Sequence, residues 1–383
     1  MASIEQVIAG REIVICAGSG GVGKTTTSAA IALGMAARGY KVCVLTIDPA
    51  KRLADSLGLK ELGNEATKVK PKLLKEQGVE PEPGGELWAM MLDAKETFDA
   101  LVARHAEDAE ARDRVLNNRI YQQISGALAG SQEYMAMEKL FELHSEGRFD
   151  LLILDTPPSR NALDFLDAPK RLTQFIEGKS LQVFIRPTGL AARVASRGTG
   201  VVLSVLKRIV GFDLLADLSE FFTAFSGMID GFQDRAHRVS ALLADDRTSF
   251  LIICGPQGEP IEEAVFFHSK LVENGMDFGG VVVNRVRYRL GTRQVKVGDL
   301  AKRIDSEIDD GDLSDRLARN LAEYDVLAVR DQKNIEQLRE VMNGEPVIRI
   351  PYLDTDVHDI AGLCQINEYL FVDEDRRVEK AIS

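Results

Sequence analysis

The chain has few cysteines and no excess of positive charge, and each shortage argues against a class of protein. Its four cysteines, Cys16, Cys43, Cys254 and Cys364, stand far apart among 383 residues and form no C-x-x-C pair. This spacing argues against a zinc clip and a secreted disulfide framework, and favours a reducing cytoplasm. With 59 acidic and 47 basic residues the formal net charge is -12, which disfavours sequence-independent nucleic acid binding.

Other features that would place the chain in a special class are also missing. The N-terminus has no basic stretch followed by a removable apolar segment, so we expect no signal peptide. The chain has neither a repeat of fixed period nor a low-complexity tract, which argues against a solenoid and a disordered tail. A content of 45% hydrophobic and 28% charged residues predicts one globular domain over 1–383 with ample material for a core.

Short apolar segments alternate with helical stretches along most of the chain. Because parallel strands need crossover connections, this rhythm predicts an α/β fold with a mostly parallel sheet covered by helices on both faces. Two stretches interrupt it: a region rich in proline and glycine from Lys60 to Glu86, predicted to be a surface excursion, and residues 160–245, predicted to be an inserted helical subdomain. The predicted strands are Glu12 to Ala17, Lys41 to Ile47, Leu87 to Leu92, Leu151 to Leu154, Phe250 to Cys254, Gly280 to Val283 and Val347 to Ile350.

The strongest chemical signal is a glycine-rich run that directly follows the first predicted strand. It reads Gly18-Ser19-Gly20-Gly21-Val22-Gly23-Lys24-Thr25. Glycine lets backbone amides point inward around a phosphate, and the helix that follows presents the positive end of its dipole. Lys24 is predicted to hold the β and γ phosphates of a nucleotide, Thr25 a magnesium ion, and Thr26 an α-phosphate oxygen.

The same glycines allow a second interpretation. Gly18, Gly20 and Gly23 also spell G-x-G-x-x-G, the pattern of a dinucleotide-binding fold in which Asp48 would hold a ribose. The Lys24-Thr25 pair that follows favours a phosphate loop instead. The predicted nucleotide-binding residues of the loop are Gly20, Gly21, Val22, Gly23, Lys24, Thr25 and Thr26.

Two aspartates follow predicted strands and complete the predicted site. Asp48 comes at the carboxyl end of the second strand, where ligands of open α/β sheets bind, so it could activate the attacking water or simply cap the next helix. Asp155 ends a hydrophobic strand in the run Asp155-Thr156-Pro157-Pro158, as expected of the acid that completes a magnesium shell. Both positions predict hydrolysis chemistry beside the loop.

The loop, Asp48-Pro49-Ala50 and the run from Asp155 to Ser159 together resemble the arsenical-pump-driving ATPase family, which has a deviant Walker A loop. That family includes the ATPase that targets tail-anchored membrane proteins. The resemblance extends from Ile13 to Pro351. It implies a P-loop fold that hydrolyses ATP with Mg²⁺, and a homodimer, because this chain has a single phosphate loop.

The resemblance also implies roles for individual residues. Asp48 falls in the first switch and activates water, and Asp155 falls in the second switch. Asn284 recognises adenine, and Pro351 forms the other wall of the base pocket. A basic cluster follows Asn284 and is predicted to be a loop near the nucleotide, with nucleic acid binding as the less favoured alternative. The cluster contains Arg285, Arg287, Arg289, Arg293 and Lys296.

The chain departs from the family pattern in three ways. Ser19 stands where the usual loop carries a lysine that reaches across the dimer, and Arg160, Lys51 or Arg52 could supply that charge instead. The scattered cysteines do not form the thiolate cluster that arsenite or antimonite needs. The C-x-x-C dimer seam of the eukaryotic targeting factor is also missing, so a dimer would need other contacts.

The predicted helical insertion carries a broad apolar stripe. Acidic residues interrupt the stripe, so it is not a membrane span. Its apolar side chains must be buried in the core, in a dimer interface, or against the hydrophobic segment of a client protein. The stripe comprises Leu214, Leu218, Phe221, Phe225, Met228 and Phe232, widened by Leu215, Phe222 and Ile229. Before it, residues 186–208 form a basic amphipathic pattern that fits either a solvated helix face or an anionic membrane surface.

Three functions follow from these features. The favoured one is an ATP-driven carrier that binds and releases hydrophobic membrane-protein segments, cytoplasmic with a peripheral membrane position left open. The alternative is the motor subunit of an arsenite-type anion efflux pump. A partitioning ATPase that acts on DNA has the least support, because the chain is acidic.

Overall fold

The computed structural model describes residues 3–48, 50–119, 121–122, 132–157, 166–170, 221, 227–289 and 296–382. These residues contain one eight-stranded sheet with the order β3-β4-β2-β5-β1-β6-β7-β8. All neighbouring strands are parallel except β3 and β4. The strands are β1 (Ile13–Ala17), β2 (Lys41–Thr46), β3 (Thr67–Lys68), β4 (Glu86–Met91), β5 (Leu151–Asp155), β6 (Thr248–Cys254), β7 (Phe278–Val286) and β8 (Val347–Pro351).

Helices connect these strands. The predicted helix after the phosphate loop is present as α2, and the longest described helix is α11, which pairs with α10 as a helical hairpin between β7 and β8. The helices are α1 (Ile4–Val7), α2 (Lys24–Ala37), α3 (Arg52–Ser56), α4 (Pro71–Glu76), α5 (Ala94–His105), α6 (Ala109–Leu116), α7 (Gln132–Glu146), α8 (Ile229–Leu243), α9 (Gly258–Glu273), α10 (Val297–Ile308), α11 (Gly311–Met342), α12 (Ile360–Leu370) and α13 (Glu374–Ile382).

The sheet separates two hydrophobic cores. All five residues of β1 are buried, and successive side chains point to opposite faces. Ile13 and Ile15 therefore join the core formed with α5, α7, α8 and α9, whereas Val14 and Cys16 join the core formed with α2 and α12. The predicted α/β fold, with helices on both faces of a mostly parallel sheet, is confirmed.

The stretch from Lys60 to Glu86 differs from its prediction as a simple surface excursion. It contains β3 and α4, and both Val69 and Leu74 are buried. Val69 donates its backbone N–H to the Leu87 carbonyl oxygen of β4 at 2.8 Å. A two-residue strand is too short to show a periodic pattern, so only its pairing with β4 defines it.

Most of the helical subdomain predicted for residues 160–245 lies outside the described residues, as do most members of the apolar stripe. Four members are described: Phe221, Met228 and Phe232 are buried, and Ile229, which widens the stripe, is half-buried. Phe232 packs against Phe98 of α5, with ring centroids 5.9 Å apart. At the three buried positions the stripe belongs to the core of the sheet. Among the described helices, none has the length and hydrophobicity to cross a membrane.

Candidate functional site

The glycine-rich loop connects β1 to α2 in a conformation that needs glycine at two positions. Gly18 has a φ of 151°, and a Cβ there would lie 2.0 Å from the Ile253 carbonyl oxygen. Gly23, with a φ of 95°, precedes α2, and its Cβ would lie 2.3 Å from Asn284 Nδ2. The loop thus packs closely against Ile253 of β6 and Asn284 of β7, while its tip at Gly20 and Gly21 stays exposed. A loop of this shape at the start of a helix is suited to bind a chain of phosphates.

Lys24 lies at the first position of α2 and is 6% exposed. Its Nζ donates a hydrogen bond to the Ser19 carbonyl oxygen at 2.9 Å, so the ammonium group lies across the loop. Burial lowers the pKa of Lys24, while the nearby carboxylates of Asp155 and Asp48 act to raise it. A buried cation held inside the loop is suited to bind the phosphates of a nucleotide.

Asp155 ends β5, which lies beside β1. Its carboxylate accepts hydrogen bonds from the hydroxyl groups of two residues in other elements. Its Oδ2 accepts hydrogen bonds from Thr25 Oγ1 at 2.6 Å and from Thr46 Oγ1 at 2.9 Å. Its Oδ1 is buried and has no hydrogen-bond partner. Burial raises the pKa of Asp155 to about 6, although the hydrogen bonds from Thr25 and Thr46 oppose this shift.

These features test whether the site fits the magnesium ion that the sequence implies. An unpartnered buried carboxylate oxygen beside a threonine hydroxyl offers the hard oxygen ligands that Mg²⁺ prefers, with phosphate and water oxygens for the remaining positions. A divalent cation would also favour the charged form of Asp155, which burial alone disfavours. Thr25 and Asp155 therefore fit the predicted magnesium site.

Asp48 lies two residues beyond β2, at the same edge of the sheet as Asp155. Its backbone N–H donates to Thr46 Oγ1 at 3.2 Å, and its Oδ1 accepts from the Ala50 backbone N–H at 2.9 Å. The guanidinium of Arg52 lies 4.0 Å from its Oδ2. In this arrangement Asp48 organises its own turn and does not cap α3, whose N-cap residue is Lys51 and which has no side-chain cap hydrogen bond. The role of Asp48 in activating water stays a prediction.

The carboxyl ends of β7 and β8 lie on the other side of β1. Asn284 donates from Nδ2 to the Val22 carbonyl oxygen at 2.9 Å, and its Oδ1 accepts the backbone N–H of Arg285 at 2.9 Å. Asn284 thereby fixes β7 to the phosphate loop, and one of its two amide protons remains for a nucleobase. Pro351 is buried at the end of β8, and Tyr352 after it is 55% exposed.

The three residues considered as replacements for the missing lysine lie in different environments. Lys51 Nζ lies 3.8 Å from Glu61 Oε1, while the Arg52 guanidinium lies 4.0 Å from Asp48 Oδ2. Arg160 lies outside the described residues, as does Pro49. Sequence reasoning missed a role for Thr46, which connects Asp48 to Asp155. It placed Arg285 in a basic cluster near the nucleotide without singling it out, and in the structure the Arg285 guanidinium contacts the loop. Nothing in the local sequence marks Thr46, because its two contacts depend on the order of the strands.

Comparisons with known proteins give a family and several relatives for this chain. A family model described as anion-transporting ATPase matches residues 11–289. Among curated proteins, ATPase GET3 of Malassezia globosa is 26% identical over 281 residues, covering 72% of each chain. ATPase GET3 of Kluyveromyces lactis is 23% identical over 365 residues, covering 93% of this chain and 88% of its own. A protein named putative arsenical pump-driving ATPase from Prosthecochloris vibrioformis is 33% identical over 168 residues, covering 42% of this chain and 36% of its own.

Proposed function

Because this chain belongs to the anion-transporting ATPase family and is an ATPase, we propose that it couples Mg²⁺-dependent ATP hydrolysis to the binding and release of hydrophobic membrane-protein segments, as a homodimer. The observation that carries the catalytic part is the meeting of Lys24, Thr25 and Asp155 around the phosphate loop. The client is suggested by the family resemblance and by the apolar stripe in residues 214–232. We also propose that residues 160–245 are a helical subdomain inserted in the ATPase domain.

In the proposed reaction, the loop amides and Lys24 bind the β and γ phosphates and stabilise the charge that grows as the phosphoryl group transfers. Thr25 and Asp155 would hold magnesium, which when bound would neutralise negative charge on these phosphates. Asp48 orients the attacking water and accepts its proton. Thr46 positions both aspartates, since its hydroxyl bonds to Asp155 and to the backbone of Asp48.

The conformational part of the proposal follows from where Asp48 and Asp155 lie. Each ends a strand and begins a segment that would contact the γ-phosphate, so ATP and ADP would favour different arrangements of those segments. The segment after Asp155 leads directly into residues 160–245. Loss of the γ-phosphate would therefore change the subdomain that carries the apolar stripe, and a bound client would be released.

Two substitutions test the catalytic part. Asp48→Asn is expected to slow hydrolysis by at least about a hundredfold while ATP binding stays close to that of the wild type, because the loop amides and Lys24 do not depend on that carboxylate. Lys24→Ala is expected to weaken ATP binding itself. Asp55→Asn on α3 is the matched control, since Asp55 is an exposed aspartate near the same segment. Equal turnover in Asp48→Asn and wild type would contradict the role of Asp48.

Crosslinking tests whether the protein binds a hydrophobic membrane-protein segment as its client. The Asp48→Asn protein is mixed with a photoreactive membrane-anchor peptide, with ATP and Mg²⁺ or with ADP, and with a control peptide that carries two lysines at its centre. Capture of the apolar peptide only with ATP would support a carrier. Absence of capture in both states, from a protein that binds ATP normally, would contradict it.

The alternative function is the motor of an anion pump, which the name of the Prosthecochloris vibrioformis relative favours. The cysteines disfavour arsenite as the anion. Cys16, Cys43 and Cys254 are buried, and burial raises the pKa of each thiol to about 12. Thiols of this kind supply few thiolates, which are the metal-binding form. Stimulation of turnover by arsenite, or by another oxyanion, would favour the pump over the carrier.

A further inference from the structure

We infer that Arg285 binds the nucleoside half of ATP, with its guanidinium against the ribose and one face of the base. The inference rests on the proposed binding of ATP at the Gly18 loop. It assigns Arg285 to nucleotide affinity and not to the transfer of the phosphoryl group. Four observations carry it: the backbone conformation of Arg285, its contact with the loop, its lack of a carboxylate partner among the described residues, and the direction in which ATP must lie.

The backbone of Arg285 is in the left-handed region, with a φ of 60°. Among the described residues, two other positions that are not glycine share this feature, Asp309 and Asn343, and both cap the ends of helices, where it is common. Arg285 instead lies within β7, where a long side chain rarely adopts it. The hydrogen bond from its N–H to Asn284 Oδ1 holds this conformation, and the ladder between β7 and β8 shifts register here.

The guanidinium of Arg285 lies at the tip of the phosphate loop. Its Nη1 donates to the Gly21 carbonyl oxygen at 3.3 Å, and the residue is exposed. Its neighbours in the basic cluster are neutralised, Arg287 by Asp331 at 3.2 Å and Arg289 by Asp325 at 2.8 Å. Within the part of the chain that the structure describes, no carboxylate forms an ion pair with Arg285. Among the described arginines of this cluster, Arg285 is the one that remains available for a ligand.

The strand order determines which end of ATP meets Arg285. The predicted magnesium ligands Thr25 and Asp155, together with Asp48, lie on the β5 and β2 side of β1. A magnesium ion held by Thr25 and Asp155 would neutralise charge on the terminal phosphates, so the γ-phosphate end of ATP belongs on that side. The chain of phosphates must then lead the nucleoside towards β6 and β7. Arg285 lies there, with Asn284 and Pro351, and not beside the reacting phosphate.

The chemistry of a guanidinium suits this position. It is planar, donates several hydrogen bonds and stacks on the face of any base, so it adds affinity with little selectivity between bases. Because ATP and ADP share the same nucleoside, the contact should strengthen both equally. It should add nothing to the binding of inorganic triphosphate, which has no nucleoside.

Arg285→Asn tests the inference, because asparagine tolerates the left-handed backbone and lacks the guanidinium. Equilibrium titration is expected to show that the dissociation constants of ADP and ATP both rise about tenfold. Inhibition by inorganic triphosphate should be unchanged. KM for ATP should rise by the same factor while kcat stays constant, as expected when ground state and transition state lose the same contact. Arg285→Lys keeps the positive charge but lacks the planar guanidinium, so it should recover only part of the nucleotide affinity that Arg285→Asn loses.

Controls separate this inference from the proposed function. Arg330→Asn removes an exposed arginine of α11 and should leave every constant unchanged. The unfolding midpoint of nucleotide-free Arg285→Asn should match the wild type. Weaker inhibition by inorganic triphosphate, or a lower kcat at constant KM, would place Arg285 at the phosphates and overturn the inference. Unchanged binding of ADP would overturn it too. Normal ATP binding by Lys24→Ala would contradict the proposed site itself, whatever Arg285→Asn does.

Discussion

At the scale of single residues, Thr46 has the largest consequence for the candidate site. Its hydroxyl donates to Asp155 Oδ2 and accepts the N–H of Asp48, so one oxygen positions the predicted metal ligand and the predicted catalytic base. Thr46 is buried, and water cannot replace these bonds. Residues of this kind affect a reaction without contacting the substrate, because they fix the orientation of the groups that do.

We therefore expect Thr46→Val to lower kcat by about tenfold or more, while the shape of the site is kept. The apparent affinity for Mg²⁺ should fall as well, because Asp155 loses a donor that orients it. Steady-state kinetics over a range of magnesium concentrations measures both effects.

Two other variants make the Thr46 prediction specific. Thr46→Ser retains the hydroxyl and should stay near wild type. Thr27→Val removes a buried hydroxyl that makes no hydrogen bond, so its turnover should not change. A Thr46→Val enzyme as active as Thr27→Val would show that the two hydrogen bonds are dispensable.

At the scale of elements, an ion pair connects α7 to α8. Arg235 Nε lies 2.6 Å from Glu138 Oε1, and their side chains are 13% and 2% exposed. The guanidinium also lies 4.1 Å from the ring centre of Phe141. Burial raises the pKa of Glu138 even though Arg235 acts to lower it. The pair therefore compensates two charges that burial makes costly.

Removal of one partner should destabilise the protein more than removal of both. Glu138→Leu leaves Arg235 buried without its carboxylate and is expected to lower the free energy of unfolding by about 3–5 kcal/mol. The double variant Glu138→Leu/Arg235→Met should recover most of this loss, because apolar side chains of similar volume replace the pair. Urea unfolding of the single and double variants measures the difference.

An exposed pair on α9 provides the control for this prediction. Lys270 and Glu273 are close enough to form an ion pair, but Glu273 is 58% exposed, so Lys270→Met should change stability by less than about 1 kcal/mol. A double variant no more stable than Glu138→Leu alone would mean that packing, and not the uncompensated charge, causes the loss.

At the scale of the whole molecule, the site lies across the centre of the sheet. Its residues come from the loop after β1, from the ends of β2 and β5 on one side, and from the ends of β7 and β8 on the other. A ligand bound there contacts elements from both halves of the sheet. Binding should therefore stabilise the entire domain against unfolding, since the unfolded chain cannot reproduce such a site.

We expect ATP at about one hundred times its dissociation constant, with Mg²⁺, to raise the melting temperature of the Asp48→Asn protein by about 3 °C. The Asp48→Asn background limits turnover during the scan. Chelation of Mg²⁺ should reduce the shift, because Thr25 and Asp155 then lose their part in binding. Differential scanning calorimetry measures it, and Lys24→Ala should show no shift. An equal shift with and without Mg²⁺ would contradict the assigned metal ligands.

Much of the architecture could be predicted because the signals for it are local. The apolar strands and the glycine-rich loop can each be recognised within a few neighbouring residues, and all seven predicted strands are present in the structure. The loop's requirement for glycine is also confirmed at Gly18 and Gly23, where a Cβ would collide with β6 or with Asn284. The short strand β3 was missed, because two residues carry no periodic signal.

The sequence by itself thus determined the class of fold and predicted the phosphate loop and the two aspartates beside it, because a few neighbouring residues are enough to indicate a strand, a helix or a loop. Only the tertiary structure decided which side chains meet. Thr25 and Asp155 are 130 positions apart, Thr46 and Asp155 are 109 apart, and Arg285 reaches Gly21 across 264 positions. Such contacts depend on the order of strands in the sheet, and no local pattern specifies that order.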